Sequence, residues 1–146
     1  MTNTRIYFFV VFAMMLSVYA CKKETIAPEP EIAFVSASPL VVTQFKDSIE
    51  VVISYKDNTG DIGDESANEF SLAVKDSRLA HPDFYHIQPL TPDNKKLKIE
   101  GELKIKINTM FLLGTGTTET TILTIKLKDR EGNWSNEIKT PVITIQ

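Results

Sequence analysis

The sequence predicts an all-β domain built as a sandwich of two sheets. Apolar and polar side chains alternate with a period of two in several short stretches, most clearly in residues 48–55 and 121–128. Glycine, proline, asparagine and aspartate separate these stretches, and no stretch repeats its apolar residues with the period of a helix. About seven short strands with this spacing favour a β-sandwich, with a small β-barrel as the alternative.

The first twenty residues differ from the rest of the 146-residue chain. Residues 1–5 are polar with one positive charge, and residues 6–20 are apolar apart from Ser17 and two tyrosines. This run is short for a bilayer span, which needs about 20 apolar residues. It is typical of a cleavable secretory signal with a small residue before the cut. We therefore expect an exported protein and exclude residues 1–20 from the fold.

Cys21, the single cysteine of the chain, directly follows this run. An exported domain that relied on disulfides would carry an even number of cysteines. Residues 18–21 (Val-Tyr-Ala-Cys) resemble a bacterial lipobox, in which the cysteine is diacylated and the chain is cut before it, although Tyr19 is larger than is usual there. Two or three acyl chains on Cys21 would anchor the protein stably in a membrane. The alternative is a signal cut elsewhere and a free Cys21 thiol.

The mature chain is predicted to begin with a tether. Residues 21–31 comprise the lipidated cysteine and a charged stretch with two prolines and no periodicity, which is typical of a flexible linker. The β-sandwich domain is expected over residues 32–146. Removing residues 1–20 leaves 15 basic against 19 acidic side chains, and the lack of a basic excess argues against a nucleic-acid partner.

The predicted strands follow one another through the domain. Residues 32–35 and 40–42 flank Pro39, which suits an edge strand split in two. In residues 97–107, Gly101 interrupts the alternation and predicts a bulge or a break. Pro141 predicts an edge position or a bulge in the last strand. The other strands are predicted at residues 48–55, 70–74, 121–128 and 138–145.

An immunoglobulin-like or fibronectin-type-III-like sandwich fits this spacing of strands. The tyrosine corner and the cysteine pair of antibody domains are both absent from the sequence. Residues 76–96 show no strand pattern, and loops of that length are uncommon and often functional.

Residues 57–65 (DNTGDIGDE) are the most informative segment for a binding site. A hard cation such as Ca²⁺ takes six to eight oxygen ligands, many of them from carboxylates and carbonyls on one tight loop. Glycines allow the chain to curl so that these oxygens converge. The predicted carboxylate ligands are Asp57, Asp61 and Asp64, with Asn58, Thr59 and a carbonyl as helpers. The loop is not an EF-hand, because its sixth and twelfth positions lack the required glycine and glutamate.

Asp129 is the fourth predicted ligand. Residues 129–136 link the last two predicted strands, and in an immunoglobulin-like sandwich this loop lies at the same end as the loop after the second strand. Asp129 would then lie beside residues 57–65 and add a carboxylate to a structural Ca²⁺ site. The alternative is a plain solvated turn, because aspartate and asparagine side chains satisfy local backbone amides without a metal.

The segment 76–96 carries a second set of candidate residues. They combine flat apolar faces with hydrogen-bonding tips, which suits a sugar or a protein partner. The same residues would also suit a loop that packs its own aromatic rings over one sheet. Trp134 is likewise expected to fold back onto the edge of the sandwich. The candidate ligand residues of the loop are Arg78, His81, Phe84, Tyr85 and His86.

The sequence predicts no catalytic residues. His81 and His86 are five residues apart and lie off any predicted helix, so they do not form a metalloprotease pair. The sequence also contains no phosphate-binding glycine loop, nucleophile elbow or catalytic cysteine arrangement.

The lipobox-like start, the charged tether and the segments YKDNTGDIGDE (55–65) and IKLKDREGNWSNEI (125–138) together resemble small lipoproteins of Bacteroidetes. These look like single immunoglobulin-like domains with an aspartate–glycine turn. The resemblance implies an outer-membrane location and implies no activity. We therefore expect a lipid-anchored, non-enzymatic binding or accessory module of the cell envelope. The alternative is a glycan- or protein-binding subunit that acts through the 76–96 loop.

Overall fold

Alternating apolar residues form strands that pack as two layers. The computed structural model describes residues 29–92, 97–108 and 110–146, and in this part the chain is all-β with a sandwich-like packing of its sheets. The all-β prediction is therefore confirmed. The predicted signal, Cys21 and most of the tether lie outside the described residues.

The first layer is a three-stranded antiparallel sheet. Its strands are β1 (Glu31–Ser38), β3 (Ile49–Asp57) and β6 (Ile99–Ile107), in the order β1-β3-β6. Val51 and Ile53 of β3 are completely buried and Glu50 is exposed, as the predicted period of two requires, but Val52 on the opposite face is also buried.

The first predicted edge strand is split at Pro39. After β1, the short strand β2 (Val41–Val42) pairs in parallel with β10 (Ile143–Ile145) of the other layer. Proline lacks an N–H donor and therefore suits the point where a strand leaves one sheet for another. The predicted split is confirmed.

The second layer consists of two ladders that continue into each other along the chain. One ladder has the order β5-β4-β8-β9 and the other β2-β10-β7. Thr140 spans the break between them, because it both donates to and accepts from the Leu123 backbone at 3.0 Å. The strands are β4 (Leu72–Asp76), β5 (Asp83–Tyr85), β7 (Glu119–Thr121), β8 (Leu123–Leu127), β9 (Ile138–Lys139) and β10.

The hydrophobic core lies between the two layers. The inward residues of β3 and β6 meet those of β4, β8 and β10, which is the packing that alternating strands require. Fully buried isoleucine and leucine side chains dominate it, among them Ile49, Ile53, Ile125, Leu127, Ile143 and Ile145.

Two predictions about individual segments are wrong. Gly101 makes no bulge, because the β3–β6 register runs without a shift; instead, Tyr55 Oη lies 2.8 Å from where a Cβ of residue 101 would stand. The 76–96 segment is not strandless, because Asp83–Tyr85 pairs with β4. A three-residue strand is too short to show a period of two. The immunoglobulin-like topology stays a prediction.

Candidate functional site

Asp57 ends β3 as a buried carboxylate, with 1 % of its surface exposed. Its Oδ1 accepts hydrogen bonds from the Thr59 amide (3.2 Å) and the Thr59 hydroxyl (3.0 Å), and its Oδ2 accepts one from the Asp61 amide (2.8 Å). A buried carboxylate is costly unless it is hydrogen-bonded in this way. We call residues 57–65 the acidic loop. The hydrogen bonds to Asp57 hold the start of this loop against the end of β3.

Asp129 is as deeply buried as Asp57 and accepts hydrogen bonds from the loop that follows β8. Its Oδ1 accepts from the Asn133 amide at 2.7 Å, and its Oδ2 accepts from the Asn133 side-chain amide at 2.9 Å. Gly132 takes a positive φ of 93° within this turn. The Gly-Asn pair and the preceding aspartate thus form one closed turn.

The two loops meet at one end of the sandwich. Ile62 and Asp129 form an isolated antiparallel bridge, and the Arg130 amide donates to the Asp61 carbonyl at 3.0 Å. Ile62 is completely buried beneath this contact. The structure therefore brings Asp129 beside residues 57–65.

Asp61 lies in this neighbourhood as a partly exposed carboxyl. Burial raises the pKa of Asp61 above its ordinary value, a hydrogen bond from Thr59 opposes the rise, and the charges of Asp129 and Asp57 add to it. The Thr59 hydroxyl hydrogen-bonds both Asp57 and Asp61, and its single proton serves one carboxylate at a time. Negative charge on Asp61 is therefore disfavoured in this environment.

Asp64 belongs to a different turn. Its Oδ1 accepts from the Ser66 amide at 2.8 Å, and its own amide donates to the Ile87 carbonyl at 2.9 Å. Across residues 29–92, 97–108 and 110–146, no three histidine, cysteine, aspartate or glutamate side chains are arranged to hold a metal ion. The charges of Asp57 and Asp129 reach Asp61, whereas Asp64 is hydrogen-bonded within another turn.

The glycines of the acidic loop permit close packing. Gly60 and Gly63 have positive φ values of 69° and 84°, and a Cβ at either would collide with backbone atoms of Leu97 or Gln88. The sequence predicted that these glycines let oxygens converge. In the structure, they let the loop lie against neighbouring backbone.

Arg78 lies at the opposite end of the sandwich and links several segments of the chain. Its guanidinium pairs with Asp76 at 2.7 Å and with Glu119 at 2.6 Å, and it donates to the Phe111 carbonyl at 2.9 Å. Glu119 in turn accepts from the Leu113 and Gly114 amides. Arg78 therefore joins three segments of the fold, and its donors are engaged within the chain.

The other candidates of the 76–96 segment are divided between two faces. Phe84 and Tyr85 are neighbours in β5 and therefore point to opposite sides of the sheet. Tyr85 and His86 line a cleft of about 250 Å³ between β5 and β6. His86 also hydrogen-bonds the Glu69 carbonyl at 2.9 Å, while His81 is exposed in the turn before β5. The five predicted residues are therefore spread over several places, although Arg78 and Tyr85 line one cavity of about 80 Å³.

Sequence reasoning missed a cluster around Trp134. The ammonium groups of Lys126 and Lys128 lie 5.6 and 5.7 Å from the centre of the Trp134 ring, and the Phe84 ring lies 6.4 Å away. The polar positions of residues 121–128 carried a signal, because two lysines alternate with the buried residues of β8.

Comparison with known protein families, curated proteins and solved structures finds no match. Within the described part of the chain, no helix is long and apolar enough to cross a lipid bilayer. The function is therefore argued from the residues themselves.

Proposed function

We propose that the chain is a lipid-anchored, non-enzymatic β-sandwich of the cell envelope that serves as a binding or accessory module. The observation that carries this proposal is the order of polar, apolar and lipobox-like residues that ends at Cys21. The resemblance to Bacteroidetes lipoproteins supports the outer membrane as the location.

The use of charged side chains in the domain supports a binding role over catalysis. Asp57 and Asp129 are bonded to the amides of their own turns, and Asp76 and Glu119 are bonded to Arg78. Groups engaged in this way stabilise loops, whereas a general acid or base must be within reach of a substrate proton.

The tether places one end of the sandwich near the proposed anchor. Glu31, the first residue of β1, lies ten residues after Cys21 and pairs with Lys56 at the end of the sandwich that carries Asp57. A fully extended tether of this length reaches at most about 35 Å. The proposed anchor would therefore keep the acidic loop end within this distance of the membrane.

Incorporation of labelled palmitate tests the anchor. Cells that express the wild-type chain should yield a labelled protein, and cells that express Cys21→Ser should yield an unlabelled one. Tyr19→Ala should retain the label, because a smaller residue fits a lipobox at least as well. Equal labelling of wild type and Cys21→Ser would contradict the proposal.

A structural Ca²⁺ ion is a second part of the proposal. It is supported by the meeting of the two loops, where the charges of Asp57 and Asp129 act on Asp61. A cation there would offset the repulsion between these carboxylates. We propose that Asp57, Asp61 and Asp129 would turn their carboxylates toward such an ion, because in the described residues no three acidic, histidine or cysteine side chains are already arranged to hold one.

A glycan- or protein-binding role of the 76–96 segment is the alternative function. The observation that favours it is Phe84, which is 51 % exposed on the second layer and lies beside Trp134. An exposed phenylalanine beside a half-buried tryptophan suits recognition.

A further inference from the structure

Lysine side chains gather on the outer face of the second layer. Along β8, Ile125 and Leu127 point into the core, so Lys126 and the following Lys128 point to the opposite side of the sheet. Across the strands, Thr124 of β8 pairs with Lys75 of β4 and with Lys139 of β9. Residues paired directly across a sheet share a face. Lys75 and Lys139 therefore join the same outer surface.

Two aromatic rings lie among these lysines. Phe84 of β5 is paired with Ala73, and Ala73 is paired with Lys126, which places Phe84 on the same face. Trp134 forms a bridge with Lys128 and contacts both Lys126 and Lys128 through its ring. We call this surface the basic face; it consists of Lys75, Phe84, Lys126, Lys128, Trp134 and Lys139.

The basic face is positively charged, although the chain as a whole is negatively charged. The whole chain carries a net charge of −3, yet this face presents four lysines. Glu137 offers a counter-charge, but its carboxylate lies 3.9 Å from the Lys126 ammonium, and both side chains are substantially exposed. Such surface pairs are weak and exchange readily with other anions. The face is therefore complementary to a negatively charged partner.

The residue types favour a carbohydrate as that partner. The four cations are all lysines, which protein–protein interfaces disfavour relative to arginine. Lysine ammonium groups suit isolated carboxylates, and flat aromatic rings suit the apolar faces of sugar rings. We infer that the basic face binds an acidic polysaccharide, with its carboxylates on the lysines and a sugar ring against Trp134 or Phe84. This inference deepens the proposed binding role and rests on it.

Binding of polygalacturonate to the purified full chain in detergent tests the inference. The wild type should bind, and its affinity should fall as salt rises, because exposed charges are screened. The double variant Lys126→Gln/Lys128→Gln should weaken binding by about threefold to thirtyfold, because each substitution removes an exposed ion pair between a lysine and a carboxylate of the polysaccharide. Phe84→Ala should weaken binding without changing its salt dependence.

Lys104→Gln/Lys106→Gln is the matched control. These lysines have the same spacing and the same charge, but they lie on β6 in the other layer and are exposed. This variant should bind as the wild type does, and all variants should unfold at the wild-type temperature.

Three results would overturn the inference: no binding to polygalacturonate, equal binding to neutral dextran, or an equal loss in the control variant. Tighter binding to poly-glutamate or to single-stranded DNA would also overturn it, since the partner would then be an acidic protein or a nucleic acid. Palmitate labelling of Cys21 is independent of these results, so a failure here is distinguishable from a failure of the proposed anchor.

Discussion

At the scale of single residues, the carboxylates of the chain differ in what their charge does to stability. Asp57 and Asp129 accept hydrogen bonds from amides that would otherwise be unpaired. Hydrogen bonds from Arg78 and Thr121 offset the cost of burying the Asp76 carboxylate. For Asp61, by contrast, burial raises the pKa, and the charges of Asp129 and Asp57 add to the rise. Acid should therefore act on Asp76 and Asp61 in opposite directions.

Asp76 should make the fold sensitive to acid. Although burial opposes it, hydrogen bonds from Arg78 and Thr121 hold the pKa of Asp76 below its ordinary value, which is about 3.9. A lowered pKa contributes stability above the unfolded value and loses it as pH falls through the folded value. Urea unfolding of the wild type from pH 6 to pH 2 should show this loss. Asp76→Asn should be less stable at pH 6 and should lose less on acidification; an unchanged profile would contradict this role.

The effect of Asp61 on the pH dependence of stability is opposite in sign to that of Asp76. Because its folded pKa is raised, its contribution is greatest below the unfolded pKa and is lost as pH rises through the folded pKa. At neutral pH the charged Asp61 is therefore a local cost that a bound cation would remove.

Thermal unfolding with Ca²⁺ and with chelator tests this consequence. A site at Asp57, Asp61 and Asp129 should stabilise the wild type by about 2.7 kcal/mol when free Ca²⁺ is a hundredfold above the dissociation constant. Asp61→Asn should abolish the shift, and Asp64→Asn should keep it, because Asp64 serves another turn. No shift in the wild type at millimolar Ca²⁺ would mean that hydrogen bonds alone hold the loop.

At the scale of elements, long alternating segments could be predicted and short or context-dependent ones could not. β8 could be predicted because its buried residues recur at every second position. β3 could be predicted because Ile49, Val51 and Ile53 alternate in the same way, although Val52 is buried as well. β5 was not, since three residues cannot establish a period. Gly101 was misinterpreted because the ring that fills its space comes from Tyr55, which is distant in sequence.

Three glycines allow the cost of a turn conformation to be separated from the cost of a collision. At Gly63, a Cβ would meet the backbone of Gln88 and Ile87 at a φ of 84°; at Gly132, φ is 93° but the space is open; Gly116 has neither a positive φ nor a close backbone contact. Gly132→Ala should lower the free energy of unfolding by about 1–2 kcal/mol. Gly63→Ala should cost more than this, and Gly116→Ala should be nearly neutral. Equal losses in urea unfolding at Gly63 and Gly116 would contradict the packing of the acidic loop.

At the scale of the whole molecule, the acidic loop and Asp129 lie at one end of the sandwich, Arg78 lies at the other, and the basic face covers the outside of the second layer. The sequence could predict that Asp129 lies near residues 57–65, because the assumed immunoglobulin-like topology brings the two loops to the same end of the sandwich. It could not predict that Arg78 would be locked by Asp76 and Glu119 at the other end, since Glu119 is 41 residues away. The basic face was also hidden, because its lysines come from three strands that only the fold places side by side.

The proposed anchor and the proposed binding surface lie at different places on the sandwich. β1 enters the sandwich at the end that carries Asp57, whereas the basic face covers the outside of the second layer. A chain tethered at Cys21 would therefore leave the basic face accessible from the side. The proposed anchor and the proposed binding surface therefore use different parts of the chain.

Membrane partition of the expressed chain tests the central claim most directly. The account predicts that the wild type sediments with the membrane fraction and is released by detergent but not by high salt, because acyl chains and not surface charges hold it. Cys21→Ser should move to the soluble fraction or remain as an uncleaved precursor of higher mass. A wild-type chain that is soluble and carries a free Cys21 thiol would contradict the lipid anchor, and with it the proposal of an envelope-bound module.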